Sequence, residues 1–238
     1  LKGEIGKYLV IFILMITSIG FVSGFLVADN SLLIAYDESF EKYNIEDGNF
    51  RLLEQAQESQ LRAIEDLGVR LYPNFYVEEA VSNDSTMRIF EERTEVDKVC
   101  LMEGEMPVSD NQIAIDRMYA DNNKISVGDT LEIGGKNLEV TGFVALSDYS
   151  ALFSDNNDSM FDAVKFGVAI MTENGFQTFG ESHMRYSYAW RYEEAPKDEI
   201  EEKEKSEALM KKIHTIVPLA DFTPRYLNQA LQFTGEDM

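Results

Sequence analysis

The run Tyr8 to Ala28, YLVIFILMITSIGFVSGFLVA, holds 21 residues and no charge. Lys2 and Lys7 precede it, and Asp29 and Asn30 close it. A helix rises ~1.5 Å per residue, so this run covers the ~30 Å hydrocarbon core of a bilayer. The rival reading is a signal peptide, whose apolar core usually spans ~7–15 residues. Phe25-Leu26-Val27-Ala28 is a poor small-x-small cleavage site, although Val22-Ser23-Gly24 is passable. A retained anchor is the favoured reading. The leading Leu in place of Met predicts a piece of a longer chain. Lys2 and Lys7 before the span, with a strongly acidic domain after it, predict a cytoplasmic N-terminus and an outer domain. Gly20 and Gly24, four apart, would let a second membrane helix approach closely.

Beyond the anchor the chain is long enough for one large domain or two small ones. Hydrophobic residues make up 45% of the sequence, with 15 Phe and 11 Tyr, which excludes a disordered tail. The net charge is -22, from 43 acidic against 21 basic residues, a balance that repels nucleic acid and anionic headgroups. Solubility is its plainest purpose. Cys100 is the only cysteine, so there is no intrachain disulfide framework. Its neighbours Val99, Leu101 and Met102 predict a small buried hydrophobe.

Leu32, Leu33, Ala35, Tyr36 and Phe40 recur at helical spacing, so Ser31 to Tyr43 reads as a stalk continuing the anchor helix. After the Asp47-Gly48-Asn49 turn, the pattern predicts a strand at 50–53, a helix at 54–66 with Leu61, Ile64 and Leu67 inward, and a strand at 69–72. Strands follow at 75–81, 87–91, 96–102 and 112–115, then a short helix at 116–122. Strands at 131–133 and 138–144 flank Gly134-Gly135, a hairpin signal. The last third predicts a strand at 166–171, a helix at 173–179 and a strand at 185–192. It continues with a charged helix at 197–213, whose apolar side is Ile200, Ala208, Leu209 and Ile213, then a strand at 217–222 and a helix at 226–233. The two ends read as βαβ-type halves around a β-rich insertion, which together would form one layered α+β subdomain.

No catalytic constellation emerges. His183 and His214 stand in no metal-ligand spacing. There is no G-x-S-x-G, P-loop or dinucleotide fingerprint, so this chain is not an ATP-hydrolysing component. Asp155-Asn156-Asn157-Asp158-Ser159 gathers oxygen ligands, but Met160 stands where an EF-hand loop needs glycine, and a solvated loop is the simpler reading. The pairs Glu91-Glu92, Glu193-Glu194 and Glu201-Glu202 are adjacent in sequence and do not face one another. Glu199 to Lys205 reads as an exposed helix face with i,i+4 pairs. Tyr186, Tyr188, Trp190 and Tyr192 share one sheet face, read as core packing under a helix, with an exposed ligand-binding face as the alternative.

Four short pieces then follow in order. They are Leu101 to Pro107, Asn111-Gln112-Ile113-Ala114-Ile115-Asp116, Ile125 to Leu131 with Val127-Gly128-Asp129-Thr130, and Val140-Thr141-Gly142-Phe143-Val144. Behind a single leading anchor, this series resembles the extracytoplasmic domain of FtsX/MacB-like ABC transporter permeases. Gln112 replaces the usual Glu of that pattern, and Glu105 stands where Arg is frequent. The resemblance implies an N-terminal transmembrane helix and an extracytoplasmic domain with a split α/β (βαβ-type) subdomain and an inserted β-rich subdomain. The boundaries expected are 1–34 for the cytoplasmic flank, transmembrane helix and start of the stalk, 35–83 for the first α/β half, 84–163 for the insertion, and 164–238 for the second half and the lead-in to a second membrane helix.

The resemblance also implies a non-catalytic permease subunit of the plasma (inner) membrane. Its partners would be a separate cytoplasmic ABC ATPase, a second permease copy and membrane lipid. Mechanotransmission would drive export, release or resistance involving peptides, lipoproteins or lipids. It carries over no catalytic, cofactor or metal residue. The acidity adds a cationic peptide as a candidate partner. The alternative functions are a single-anchor extracellular binding or sensor domain and, last, a membrane-tethered hydrolase.

Overall fold

The computed structural model describes residues 5–236, with side chains placed at 6–24 and 38–232. Lys2, and the side chains of Asp29, Asn30, Leu32, Leu33, Ala35 and Tyr36, lie outside the described residues. The chain divides into two units after Lys42.

The first unit is one uninterrupted helix, α1 (Ile5–Lys42). At ~1.5 Å per residue it is about 57 Å long, so it continues well past the apolar run, as the stalk reading predicts. Gly6–Gly24 is the one stretch among the described residues long and apolar enough to cross a membrane. Its large side chains, such as Phe12 and Phe21, lie exposed, and Thr17 returns its hydroxyl to the Ile13 carbonyl at 2.7 Å. A polar group satisfied within its own helix suits hydrocarbon.

The second unit holds two sheets. Strands β1 (Gly48–Leu52), β2 (Val69–Pro73), β10 (Tyr186–Tyr192) and β11 (Leu219–Pro224) form a four-stranded sheet in the order β11-β1-β10-β2, every neighbour antiparallel. Helix α2 (Glu58–Glu65) links β1 to β2, and α5 (Glu199–Ile216) links β10 to β11. Strands β1 and β2 run parallel with β10 between them, so the two βαβ halves interlock as a split βαβ layer. Both helices cover one face. Phe50, Leu52, Tyr188 and Trp190 pack there with Ile64, Leu209 and Ile213. The alternating aromatics of β10 are therefore core residues; Phe50 stacks on Tyr188 at 5.5 Å and Phe222 on Trp190 at 4.6 Å.

Helix α2 is shorter than the predicted 54–66. The Ala56 amide donates to the Tyr188 hydroxyl at 3.1 Å, and Gln60 Oε1 accepts the Gln57 amide at 2.8 Å, which fixes the helix start one turn late. The inward side of α5 also differs from expectation. Glu202, Ser206, Leu209 and Ile213 are the buried positions, while Ile200 is 72% exposed and Ala208 is exposed. The polar inward pair has partners. Glu202 Oε1 meets Arg225 Nη2 at 3.4 Å, and the Ser206 hydroxyl meets that of Tyr226 at 3.4 Å.

Seven strands lie between β2 and β10 in sequence. They are β3 (Tyr76–Val81), β4 (Ser85–Glu91), β5 (Val99–Gly104), β6 (Gln112–Asp116), β7 (Thr130–Ile133), β8 (Lys136–Leu146) and β9 (Phe166–Met171). The order β8-β6-β9-β4-β3-β7 closes on itself, because β7 also pairs with the first half of β8 across the Gly134-Gly135 hairpin. Strand β5 adds to the second half of β8. The interior is filled by alternating residues such as Val77, Met87, Ile89, Ile113, Ile115 and Val140, all fully buried, while Val168 and Ile170 are buried on the opposite face, beside Arg88 and Phe90. Helix α3 (Arg117–Asn123) and helix α4 (Glu173–Gln177) lie outside the strands.

The four-piece series serves this scaffold. Asp116 caps α3 through the Met118 and Tyr119 amides at 2.8 and 3.1 Å. Asp129 Oδ2 accepts the Ser126 amide at 2.8 Å and closes the turn before β7. Gly142 lets β5 approach, since a Cβ there would lie 2.5 Å from the Glu105 carbonyl. Cys100 differs from expectation: β5 is an edge strand whose residues are half-buried or exposed, and Cys100 is half-buried.

Candidate functional site: the joint between the lead-in to β1 and the end of β11

Residues 43–48 follow α1 in the chain and lead into β1. Asp47, 5% exposed, is their anchor. Its carboxylate meets Arg191 Nε at 3.2 Å and Arg225 Nη1 at 3.1 Å, and accepts the Tyr192 amide at 2.8 Å. Its backbone is held too: the Asp47 amide donates to the Trp190 carbonyl at 2.8 Å, and the Arg225 amide donates to the Asp47 carbonyl at 2.9 Å. Arg191 also donates to the Ile45 carbonyl at 2.6 Å. Gly48 is required next, because a Cβ there would fall 2.4 Å from the Trp190 ring.

Arg225 stands just after β11. Helix α6 (Gln229–Glu236) follows it. The Gln229 amide donates to Asn156 Oδ1 at 2.8 Å, and the Ala230 carbonyl accepts the Ser150 amide at 2.8 Å. Ala230 packs with Ala151 and Phe153 in a small cluster of its own. The lead-in to β1 and the residue after β11 are thus tied to each other by the Asp47–Arg225 ion pair and a backbone hydrogen bond.

A second polar group lies beside the first. Glu46, Asp97 and Asp148 are buried, with one guanidinium, Arg93, among them. Arg93 Nη1 donates to Asp148 Oδ1 at 2.6 Å, and its guanidinium lies 3.8 Å from the Phe90 ring centre. Asp97 Oδ1 accepts the Glu46 amide at 2.8 Å, and Glu46 Oε1 accepts Asn49 Nδ2 at 2.5 Å. Glu46 Oε2, Arg93 Nε and Arg93 Nη2 have no hydrogen-bond partner among the described residues. Burial first, and the neighbouring Asp148 carboxylate second, push the Asp97 carboxyl up to about 7. Burial, with Asp97 and Asp148 close by, holds Glu46 well above the usual carboxylate range. Asp97 and Glu46 are thus both pushed toward their protonated forms.

The residues weighed in the sequence fall elsewhere. His183 Nδ1 lies 2.5 Å from Glu79 Oε1 at the surface of the seven-stranded sheet, and His214 is exposed near the end of α5. The Asp155–Ser159 loop binds itself: Asp155 Oδ1 accepts the Asn157 amide at 2.9 Å, and Asp158 Oδ2 accepts the Asp155 amide at 2.9 Å. Among the described residues no three His, Cys, Asp or Glu side chains are placed to hold a metal ion. Glu201 pairs with Lys205 at 3.1 Å on the outer side of α5. Asp47 lay in a segment whose Asp-Gly-Asn pattern marks only a turn, and nothing local signals its partners 144 and 178 positions later.

The chain is similar to the extracellular domain of the noncanonical ABC-type transporter YknZ from Gram-positive bacteria. Identity is 14%, over 68% of this chain and 93% of that one, with a TM-score of 0.38. It is also similar to the periplasmic region of MacB from Actinobacillus actinomycetemcomitans. There the identity is 13%, over 80% of this chain and 92% of that one, with a TM-score of 0.41. No family model and no curated protein matches.

Proposed function

We propose that this chain is the anchored outer part of an FtsX/MacB-like ABC permease subunit. In this reading α1 crosses the inner membrane with its N-terminus in the cytoplasm, and the α+β domain works outside. A cytoplasmic ATPase drives it, a second permease copy completes it, and the cargo is a peptide, lipoprotein or lipid, with a cationic peptide suited to the acidic surface. The split βαβ layer and the β-rich insertion are its two working parts. The chain itself catalyses nothing and needs no cofactor.

The observation that carries this reading is the Asp47–Arg225 joint. A domain inserted between two membrane helices must receive and return the chain at one place. A rigid-body tilt passes through such a joint only if both strands of chain are fixed there. The four-piece sequence series supports the same reading independently. A single-anchor binding domain is the second reading, and the polar cleft described next favours it.

The test is affinity capture of the full-length protein from native membranes. The permease reading expects an ATP-hydrolysing partner in the captured material. It also expects Val108→Cys, at a position 82% exposed, to react with an impermeant maleimide on intact cells in a Cys100→Ser background. Labelling only after lysis refutes the topology. A captured protein without ATPase, but labelled outside, moves the assignment to the binding domain.

A further inference from the structure

The uncovered face of the four-stranded sheet borders a cleft of about 200 Å³ against β3, β4 and the 148–156 loop. We infer that this cleft is a binding site for a small zwitterion of the free α-amino acid class, held between Arg51 and Asp221. The inference does not depend on the permease reading.

The register places Asp221, Arg51 and Ser187 side by side in one row across β11, β1 and β10. Thr223 and Asn49 stand in the next row. Cross-strand neighbours of opposite charge normally pair. Here Arg51 and Asp221 make no ion pair with each other, and Arg51 has no hydrogen-bond or ion-pair partner among the described residues. Asp221 Oδ1 accepts only the amide of its neighbour Phe222, at 2.8 Å. Ser187 and Thr223 are each 7% exposed, line the cleft, and have hydroxyls without a partner among the described residues.

The opposite wall adds donors. Asn156 Oδ1 and Asn228 Oδ1 accept the Gln229 and Ala230 amides at 2.8 and 3.1 Å. Those bonds orient both carboxamides and leave their NH₂ groups as donors. The other charges in the cleft are engaged elsewhere: Asp155 Oδ1 accepts the Asn157 amide and carboxamide at 2.9 and 2.8 Å. Arg88 binds Glu78, the Tyr149 hydroxyl and the Ser154 carbonyl, and Asp148 binds Arg93. What remains open is a guanidinium fork with two amides for a carboxylate, one carboxylate for an ammonium, and two hydroxyls between them. At about 200 Å³ the cleft is smaller than the ~300–1,000 Å³ pockets that take drug-sized ligands, so it suits a small molecule. Of the rings lining the cleft, Phe90 and Phe153 are buried, while half-buried Tyr76 lies 4.6 Å under the Arg88 guanidinium and half-buried Tyr149 accepts from Arg88.

The experiment is thermal-shift and calorimetric titration of the full chain in detergent. The probes are the L-amino acids singly, their deaminated and decarboxylated analogues, a cationic peptide, inorganic phosphate and glucose. The expected result is saturable binding of one or more amino acids at millimolar concentration or below, about tenfold or more weaker in Arg51→Gln and in Asp221→Asn. Deaminated acids should be weakened by Arg51→Gln and unaffected by Asp221→Asn. Neither variant breaks an internal ion pair, so each should melt within a degree or two of wild type without ligand; Thr223→Val offers a third variant at the same wall. Absence of any amino-acid binding, equal binding in both variants, or preference for phosphate, glucose or the peptide would overturn the assignment.

Discussion

Removing the Asp47 carboxylate should cost more stability than any exposed charge change in the domain. Asp47→Ala deletes two ion pairs and the bond from the Tyr192 amide. A hydrogen bond to a charged group is worth about 1.5–3 kcal/mol, so the simple sum overshoots. Arg191 keeps the Ile45 carbonyl and Arg225 keeps Glu202, and both guanidiniums reach water, so most of their charge can be re-solvated. The net cost is then about 3 kcal/mol, the lower end for breaking a buried pair. For a domain of this size each kcal/mol moves Tm by roughly 2–4 °C, so scanning calorimetry should find a drop of about 6–12 °C. Arg62→Ala is the control. It removes an i,i+4 pair whose Arg62 side chain is 72% exposed, and should move Tm by no more than ~2 °C. A loss for Asp47→Ala no larger than the control's would refute the claim that this carboxylate holds the lead-in to β1 to the end of β11.

Three further outcomes follow from the same geometry. The Asp97 carboxyl is raised to about 7 in the folded protein, so its contribution to stability is full below its unfolded pKa near 3.8 and is lost as pH rises through 7. Asp97→Asn should therefore flatten the fall in Tm between pH 5 and 8, and an unchanged slope would place the retained proton elsewhere. Gly142→Ala puts a Cβ 2.5 Å from the Glu105 carbonyl and 2.9 Å from that of Glu103, so β5 must shift; we expect about 1–3 kcal/mol of destabilisation by denaturant titration, with hydrogen exchange rising first at 99–104. On α5, Ile200→Lys should change stability by under ~0.5 kcal/mol and Leu209→Ala should cost about 2–5, an ordering that the apolar stripe expected from sequence would make equal.

Much of the fold could be read from local pattern. The uncharged run demanded a helix, the Gly-Gly pair placed the β7–β8 hairpin, and the alternating aromatics of 186–192 marked a strand. Strand order could not be read this way. Inserting β10 between β1 and β2 depends on pairing residues more than 110 positions apart, and barrel closure between β3 and β7 depends on the single bridge Val81–Ile133. The inward side of α5 was hidden for a different reason. A periodicity argument assigns Glu202 and Ser206 outward because they are polar, yet Arg225 and Tyr226, just after β11, pair with them. Hydrophobic pattern reports the average cost of burying polar atoms, and fails where a distant partner removes that cost.

The joint and the cleft were illegible for the same reason, and the strands that build them are the same two. On β1 and its lead-in, Asp47 serves the joint and Asn49 and Arg51 face the cleft; on β11 and its end, Asp221 and Thr223 face the cleft and Arg225 serves the joint. In sequence these are a turn, a strand edge and a charged loop, each unremarked. Register alone makes them one object: cross-strand neighbours lie about 5 Å apart, so a ligand bridging Arg51 and Asp221 ties β1 to β11 four residues along each strand from the Asp47–Arg225 bond. Ligand bound only to the paired state would stabilise it by mass action, which is how the proposed site would bear on the joint. If the joint transmits force, occupancy of the cleft sets how stiffly it does so.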